Sequence, residues 1–241
     1  MTEPAGAPEG IATSPIVIRD VSPQLDCGRY PIKRVVGETL TVTAEIFRDG
    51  HAHLAGVLKV REHDQAHWHE CPLHCTNPGL DRWQATTPPF AHNTTYRYTL
   101  EAWTDAYASW AADVHKKRAA GQDIALDLSE GRALLEAAAQ RAHGADADAL
   151  AGILGRLDGG THAATHAADV LLDAATLALA ARWPDRSAAA VYAPELEVVV
   201  DRPAARFASW YEMFPRSQGT DPTRSATFAE CAARLPAIAA M

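Results

Sequence analysis

The chain has 241 residues, of which 47% are hydrophobic and 22% charged, with a formal net charge of −8. That length can bury a real core in one large domain or two small ones, and the composition is ordinary for a globular protein. The acidic balance excludes a general nucleic-acid binder, whose surface would be basic. No apolar run reaches the length of a transmembrane helix, so no membrane partner is expected.

The opening MTEPAGAPEG carries acid, proline and glycine where a signal peptide has a basic start and an apolar stretch. Residues 1–14 read as a disordered tail. The cysteines are Cys27, Cys71, Cys75 and Cys231. Without an export signal, reduced thiols and a cytoplasmic location are the default.

Residues 15–105 read as β structure. Leu40, Val42, Ala44 and Ile46 alternate with Thr41, Thr43 and Glu45, and Tyr96, Tyr98 and Leu100 alternate with Arg97, Thr99 and Glu101. Arg48-Asp49-Gly50 and Asn77-Pro78-Gly79 supply turn chemistry between runs. About six or seven short strands at this spacing predict an immunoglobulin-like β-sandwich.

The period changes over residues 106–192, which are alanine-rich. Leu150, Ile153, Leu154 and Leu157 form a helical stripe, with Asp146 or Asp148 as the expected N-cap. Gly121, Gly144 and Gly159-Gly160 read as helix ends, and Trp183-Pro184 closes the last helix. The reading is of four helices, at about 105–119, 123–142, 146–157 and 162–182. Residues 193–203, with the run PELEVVV, return to a strand of the sandwich, which makes the helical block an insertion. From residue 204, RFASWYEMFPRS reads as a buried strand ending in a polar loop. Phe228, Ala232, Leu235 and Ile238 or Ala239 then mark one face of a helix. Strand, loop and helix together are the first unit of an alternating α/β fold. The predicted class is therefore α+β multidomain: a sandwich with an inserted α-helical bundle, then the start of a barrel at 204–241.

The segments DVSPQLDCGRYPIKRVVGE, EIFRDGH, EAWTD, GQDIALDLSEG and above all FASWYEMFPRS resemble the maltose-1-phosphate maltosyltransferases of the α-amylase superfamily, glycoside hydrolase family 13. The resemblance runs from Ile16 to Met241 and is weakest over Arg61 to Pro89, where only Asp81-Arg82-Trp83 match. It implies a sandwich, a helical insert and then a (β/α)8 catalytic barrel, in a homodimer joined through the first two domains. It also implies retaining transfer of maltosyl units from maltose 1-phosphate to the non-reducing ends of α-1,4-glucans in glycogen or α-glucan synthesis. Retention needs two carboxylates about 5–5.5 Å apart. In this superfamily they stand on later barrel strands, so the expectation is a chain that stops before them, with no catalytic residue of its own, no cofactor and no metal.

Four constellations remain open to chemistry. His63, His67, His69, Cys71, His74 and Cys75 carry soft ligands of the kind zinc takes, yet their spacing fits no familiar finger, and an exposed strand pair is the expectation. Trp68, Trp83, Trp103 and Trp110 could stack on sugar rings, but packing explains them more simply. Lys116-Lys117-Arg118 suits a helix carboxy-terminus and a solvated face. Tyr211, Glu212 and Arg216 stand near the end of the expected first barrel strand, where such barrels build their sites. For these three, a role beside the sugar and a role bracing loops are equal readings. A different class of function also stands beside the enzyme: a free-standing carbohydrate-binding or protein-interaction module without catalysis.

Overall fold

A computed structural model describes residues 14–158 and 163–241. The expected tail falls on residues 1–13 and the helix end at Gly159-Gly160 on 159–162, both outside the described residues. Ser14, counted with the tail by sequence, donates its hydroxyl to the Ala188 carbonyl at 2.9 Å. The chain divides into two compact units that part between Asp201 and Arg202.

The first unit is α+β. Eight strands come first: β1 (Ile16–Ser22), β2 (Ile32–Val35), β3 (Thr41–Arg48), β4 (Leu54–Glu62), β5 (His69–Pro72), β6 (His74–Asn77), β7 (Arg82–Thr86) and β8 (Thr95–Thr104). Helices α1 (Ala106–Ala119), α2 (Ala125–Arg141), α3 (Ala145–Asp158), α4 (Ala163–Leu171) and α5 (Ala174–Ala180) follow, then strands β9 (Ala190–Val191) and β10 (Leu196–Asp201).

The strands make two sheets. One runs β1-β3-β7-β6, and the other runs β2-β10-β8-β4-β5 with β9 also paired to β8. The period-two pattern explains the pairing. Val42, Ala44 and Ile46 of β3 face Leu58 and Val60 of β4, Tyr98 and Leu100 of β8, and Val198 and Val200 of β10 in one apolar core. Each such side chain taken fully from water contributes about 1.5–3 kcal/mol. Pairing is antiparallel except for β10 with β2, which is parallel from Val198↔Ile32 to Asp201↔Val35. Asn77-Pro78-Gly79 forms a tight 3-10 turn in which Asn77 Oδ1 accepts from the Gly79 N–H at 3.1 Å.

The alternation on β8 carries a departure. Thr99 and Glu101, polar partners of the inward residues, are only 3% and 8% exposed. The cause is the chain after the helices, which runs back over that face: Thr99 donates its hydroxyl to the Tyr192 carbonyl at 2.7 Å.

The helices bury a second core of Tyr107, Trp110, Val114, Leu135, Leu150 and Leu171 among others. Asp105 follows β8 directly and caps α1, its carboxylate accepting from the Ala108 N–H at 2.9 Å. Gly121, just past α1, takes φ +67°, as the sequence leads one to expect of a helix end. Asp146 and Asp148 do not cap α3; both lie in its first turn. Asp146 turns instead to Trp183, accepting from Nε1 at 2.9 Å, and pairs with Arg182. The fourth predicted helix is two helices. It breaks at Leu172-Asp173 because the Asp173 carboxylate caps α5 through the Ala175 N–H, and the Thr176 hydroxyl takes up the Val170 carbonyl.

Residues 202–241 form the second unit, and here the sequence reading is corrected. Residues 207–214 form no strand, and Phe207, Trp210 and Phe214 are 80%, 96% and 66% exposed. A strand needs a backbone ladder on at least one edge, and among the described residues none is offered. The single helix expected after it is two short ones, α6 (Phe228–Ala232) and α7 (Leu235–Ala239), parted at Ala233-Arg234 with Pro236 in the first turn of α7. Phe228 and Leu235 lie exposed, while Cys231 is buried with its thiol 3.8 Å from Met213 Sδ.

Gly131 allows the closest approach among the helices. A Cβ there would stand 2.1 Å from the Trp110 ring, whose Nε1 is committed to the Asp127 carbonyl at 2.6 Å. A helix glycine replaced by alanine ordinarily gains up to about 1 kcal/mol. Gly155, with open space around it, should show that gain. Gly131→Ala should instead lose about 1–3 kcal/mol through overpacking. Denaturant unfolding of the two variants checks this opposition of sign.

Candidate functional site

Of the three residues singled out in the second unit, Tyr211 is half exposed and Glu212 and Arg216 are exposed. Pro215–Ser217 forms one 3-10 turn, and the Arg216 carbonyl accepts from the Ala226 N–H at 3.0 Å. That bond holds open a shallow groove between Phe214, Arg216 and Phe228; Tyr211 and Glu212 do not line it. Glu230, at the start of α6, forms a capping box with Thr227. The Arg224 guanidinium, with help from Thr227, holds the Glu230 carboxyl down to about 2, so it is a fixed anion and not a proton donor.

The densest polar arrangement lies on the outer face of the five-strand path, around Glu101. Lys59 Nζ meets Glu101 at 2.8 Å, and both side chains are mostly buried. Arg186, from the segment that returns after α5, grips Glu70 with two bonds of 2.7 and 3.0 Å and stands 3.8 Å from Glu101. Its guanidinium lies 4.0 Å from the centre of the Trp103 ring. The Arg186 hydrogen bond holds the Glu70 carboxyl below the usual carboxylate range, with its charge and that of Lys59 adding to the effect. Two acids facing two bases make a closed network, with neither a free base nor a free nucleophile. Trp103, expected to pack inward, is buried on this outer face beneath Arg186.

The remaining constellations do not assemble. The histidine–cysteine stretch crosses between sheets: His69 and Cys71 lie on β5, His74 and Cys75 on β6 of the other sheet. Among the described residues, no group of three or more His, Cys, Asp or Glu is placed to hold a metal ion. Burial raises the Cys71 thiol pKa, which keeps it protonated and unreactive. The tryptophans also separate. Trp83 donates to the Ile46 carbonyl at 3.0 Å, Trp110 belongs to the helical core, and Trp68 covers Arg61 at 4.6 Å. Lys116, Lys117 and Arg118 pair with Asp113, Asp127 and Asp169.

Sequence reasoning passed over Glu62, Gln65 and His92. They meet in a groove of about 250 Å³ between the β4–β5 loop and the loop before β8. His67 and His69, read before as a metal question, stand on its wall. The stiff Pro88-Pro89 pair that carries Phe90 and His92 to this place was the one local signal available.

These features define an α+β domain, with no helix long and apolar enough to cross a membrane among the described residues. A family profile described as "Alpha-1,4-glucan:maltose-1-phosphate maltosyltransferase, domain N/S" matches residues 14–202, and the chain belongs to that family. The maltosyltransferase of Rhodospirillum rubrum is 46% identical over 240 residues, covering 95% of this chain and 35% of the relative. Those of Myxococcus xanthus and Chlorobaculum tepidum are 40% and 39% identical, covering 92% and 94% of this chain. The chain spans about a third of the length of these relatives: 35%, 34% and 33%.

The Arg186 clamp predicts a pH signature. Arg186→Ala should lower stability by about 1–2 kcal/mol at neutral pH, modest because Glu70 and Arg186 are about one-third exposed and partly screened. Glu70 has a depressed pKa in the folded protein, so its contribution is complete above the unfolded value and fades as pH falls through the folded one. The gap between parent and variant should therefore narrow on acidification below about pH 4.3. Urea unfolding across that range is the measurement.

Proposed function

We propose that this chain is the scaffold and self-association region of a maltosyltransferase that moves maltosyl units from maltose 1-phosphate to the non-reducing ends of α-1,4-glucans. The reading is of a retaining, double-displacement glycosyltransferase of the α-amylase type, working in cytoplasmic glycogen or α-glucan synthesis. The observation that carries it is the family match over residues 14–202, joined by a 46% identical relative whose alignment covers 95% of the chain and so extends past residue 202. In this reading residues 15–105 and 193–203 form an immunoglobulin-like sandwich, 106–192 a helical insert, and 204–241 the opening of a catalytic barrel. The exposed Phe207, Trp210 and Phe214 fit that last assignment: in a barrel, a strand of this kind is buried by its neighbours. Tyr211, Glu212 and Arg216 would then stand at the site end of the first barrel strand, and the catalytic carboxylates would belong to a part of the relatives outside the aligned stretch.

Self-association is assigned to the insert as well as the sandwich. An apolar groove of about 250 Å³ between α2, α3 and α4, lined by Leu128, Leu157 and Leu171, supports this. Leu126 on α2, 75% exposed, supports it too. A two-fold dimer would bring the same patch from each copy and bury about 1,200–2,000 Å² or more.

Two experiments test the reading. Supplied with maltose 1-phosphate and glycogen, the 241-residue chain should release no phosphate; turnover at enzyme-like rates would show that it holds catalytic groups of its own. Sedimentation addresses the dimer. A version ending at Arg202 should still dimerise, and replacing residues 106–192 by a short Gly/Ser linker should abolish this. A monomeric shorter chain at every concentration would assign association to the apolar second unit instead.

A further inference from the structure

The helical block has a cavity at its root. The chain enters the block through residues 104–107 and leaves it through residues 183–185, and both segments line a cleft of about 120 Å³. The third wall is one face of α2, where Leu134, Ala137, Ala138 and Arg141 recur at helical spacing. The alanines at 137 and 138 leave room that larger side chains would take. The lining is mostly apolar, with Tyr107, Ala138 and Ala180 buried behind it. Walls of this kind lack partner atoms on one side, and a fitting ligand supplies those dispersion contacts. The size suits a short hydrocarbon body: a cavity of about 150 Å³ admits benzene.

The mouth of the cleft is charged. Arg141 donates Nε and Nη2 to the Trp183 carbonyl at 3.0 and 2.8 Å, which fixes the guanidinium there, and Nη1 meets no partner among the described residues. Asp105 Oδ1 is committed to the Ala108 N–H, while Oδ2 meets no partner among the described residues. Asp185 accepts from the Ser187 N–H at 2.8 Å. That bond, the Ser187 hydroxyl and the charge of Arg141 hold the Asp185 carboxyl below the usual carboxylate range, so it is an anion at neutral pH. A simple anion here would face two carboxylates, and a simple cation would leave the guanidinium unanswered. A sugar ring carries hydroxyls on every side and would set them against apolar walls. One fixed cation and two fixed anions around an apolar hollow suit a ligand with both charges and a short hydrocarbon body. We propose that this cavity binds a small apolar α-amino acid, its carboxylate on Arg141, its ammonium on Asp105 and Asp185, and its side chain against Ala137, Ala138 and Ala180. Bound there, it joins the segments on either side of the helical block and stabilises the folded joint by mass action.

The probe is L-valine, titrated into the full chain and followed by calorimetry and by the indole NMR signal of Trp183, which lines the cleft. Binding should saturate at millimolar concentration, move that signal and raise the unfolding midpoint. Glycine, without the hydrocarbon body, and isobutylamine, without the carboxylate, should each bind at least about tenfold more weakly. Asp105→Asn and Asp185→Asn keep an Oδ1 acceptor for the α1 cap and the Ser187 turn, so the double variant should hold its unfolding midpoint. It should nevertheless lose at least about tenfold in affinity for valine. Ala137→Leu fills the hollow and should abolish binding; if overpacking unfolds that variant, the aspartate pair and the ligand series decide. Absence of saturable binding overturns the proposal. So does equal affinity for glycine or isobutylamine, or affinity unchanged in the double variant. None of these outcomes bears on the sedimentation and phosphate-release results, so the failure of the cavity and the failure of the scaffold reading can be told apart.

Discussion

Strand β8 is the member on which the first unit depends. It is ten residues long and pairs with β4 without a break from Leu54↔Thr104 to Glu62↔Tyr96. Its other edge takes β10 along Thr95–Tyr98 and β9 at Glu101-Ala102. One face of β8 supplies the sandwich core through Tyr96, Tyr98, Leu100 and Ala102. Its last residue leads directly into Asp105, the cap of α1. The strand therefore receives chain from both sides of the helical block and also launches that block. A non-local pairing of this kind, between β8 and a strand almost a hundred residues later, must repay a large loop-closure entropy. The repayment comes from Leu196, Val198 and Val200, all at most 1% exposed.

The outer face of β8 shows how the helical block is held once it has formed. The chain leaving α5 crosses Thr99, Glu101 and Trp103, and Arg186 joins the three elements at one point. It meets Glu70 on β5, Glu101 on β8 and the face of Trp103. Arginine suits this place because its planar fork takes a carboxylate in two bonds while its flat face lies on an aromatic ring. A charge as buried as Glu101 is tolerated only when paired, and Lys59 from β4 completes the pairing. The same groups that cover the sheet thus leave no acid or base free there.

The chain belongs to the maltosyltransferase family and spans about a third of the length of these relatives. The second unit has a different character from the first. Its aromatic residues lie open to solvent, and its order comes from local devices: the Thr227–Glu230 capping box, the Arg224–Glu230 pair and the Asp221–Thr223 turn. Local hydrogen bonds can shape a segment of this length, but they cannot bury Trp210 or Phe207.

What the sequence determined by itself was whatever rests on short-range periodicity and turn chemistry. The alternation of Val42, Ala44 and Ile46 disclosed β3, the run LEVVV disclosed β10, and Gly121 disclosed the end of α1, because each depends on the backbone geometry of neighbouring residues. The motif FASWYEMFPRS disclosed the family without disclosing a local structure. Tertiary structure decided the rest. Period two could not tell that Thr99 and Glu101 would be covered, since their cover comes from Arg186 and Tyr192 far along the chain. Helical period could not show that Asp173 would divide one helix into two, because a cap and a solvent-facing acid look alike in sequence. Nor could any spacing bring Glu62, Gln65 and His92 to one groove, or separate His69 from His74 by sending them to different sheets. Those outcomes belong to strand pairing across the fold, where partners are chosen by burial and hydrogen bonding between residues that the sequence holds far apart.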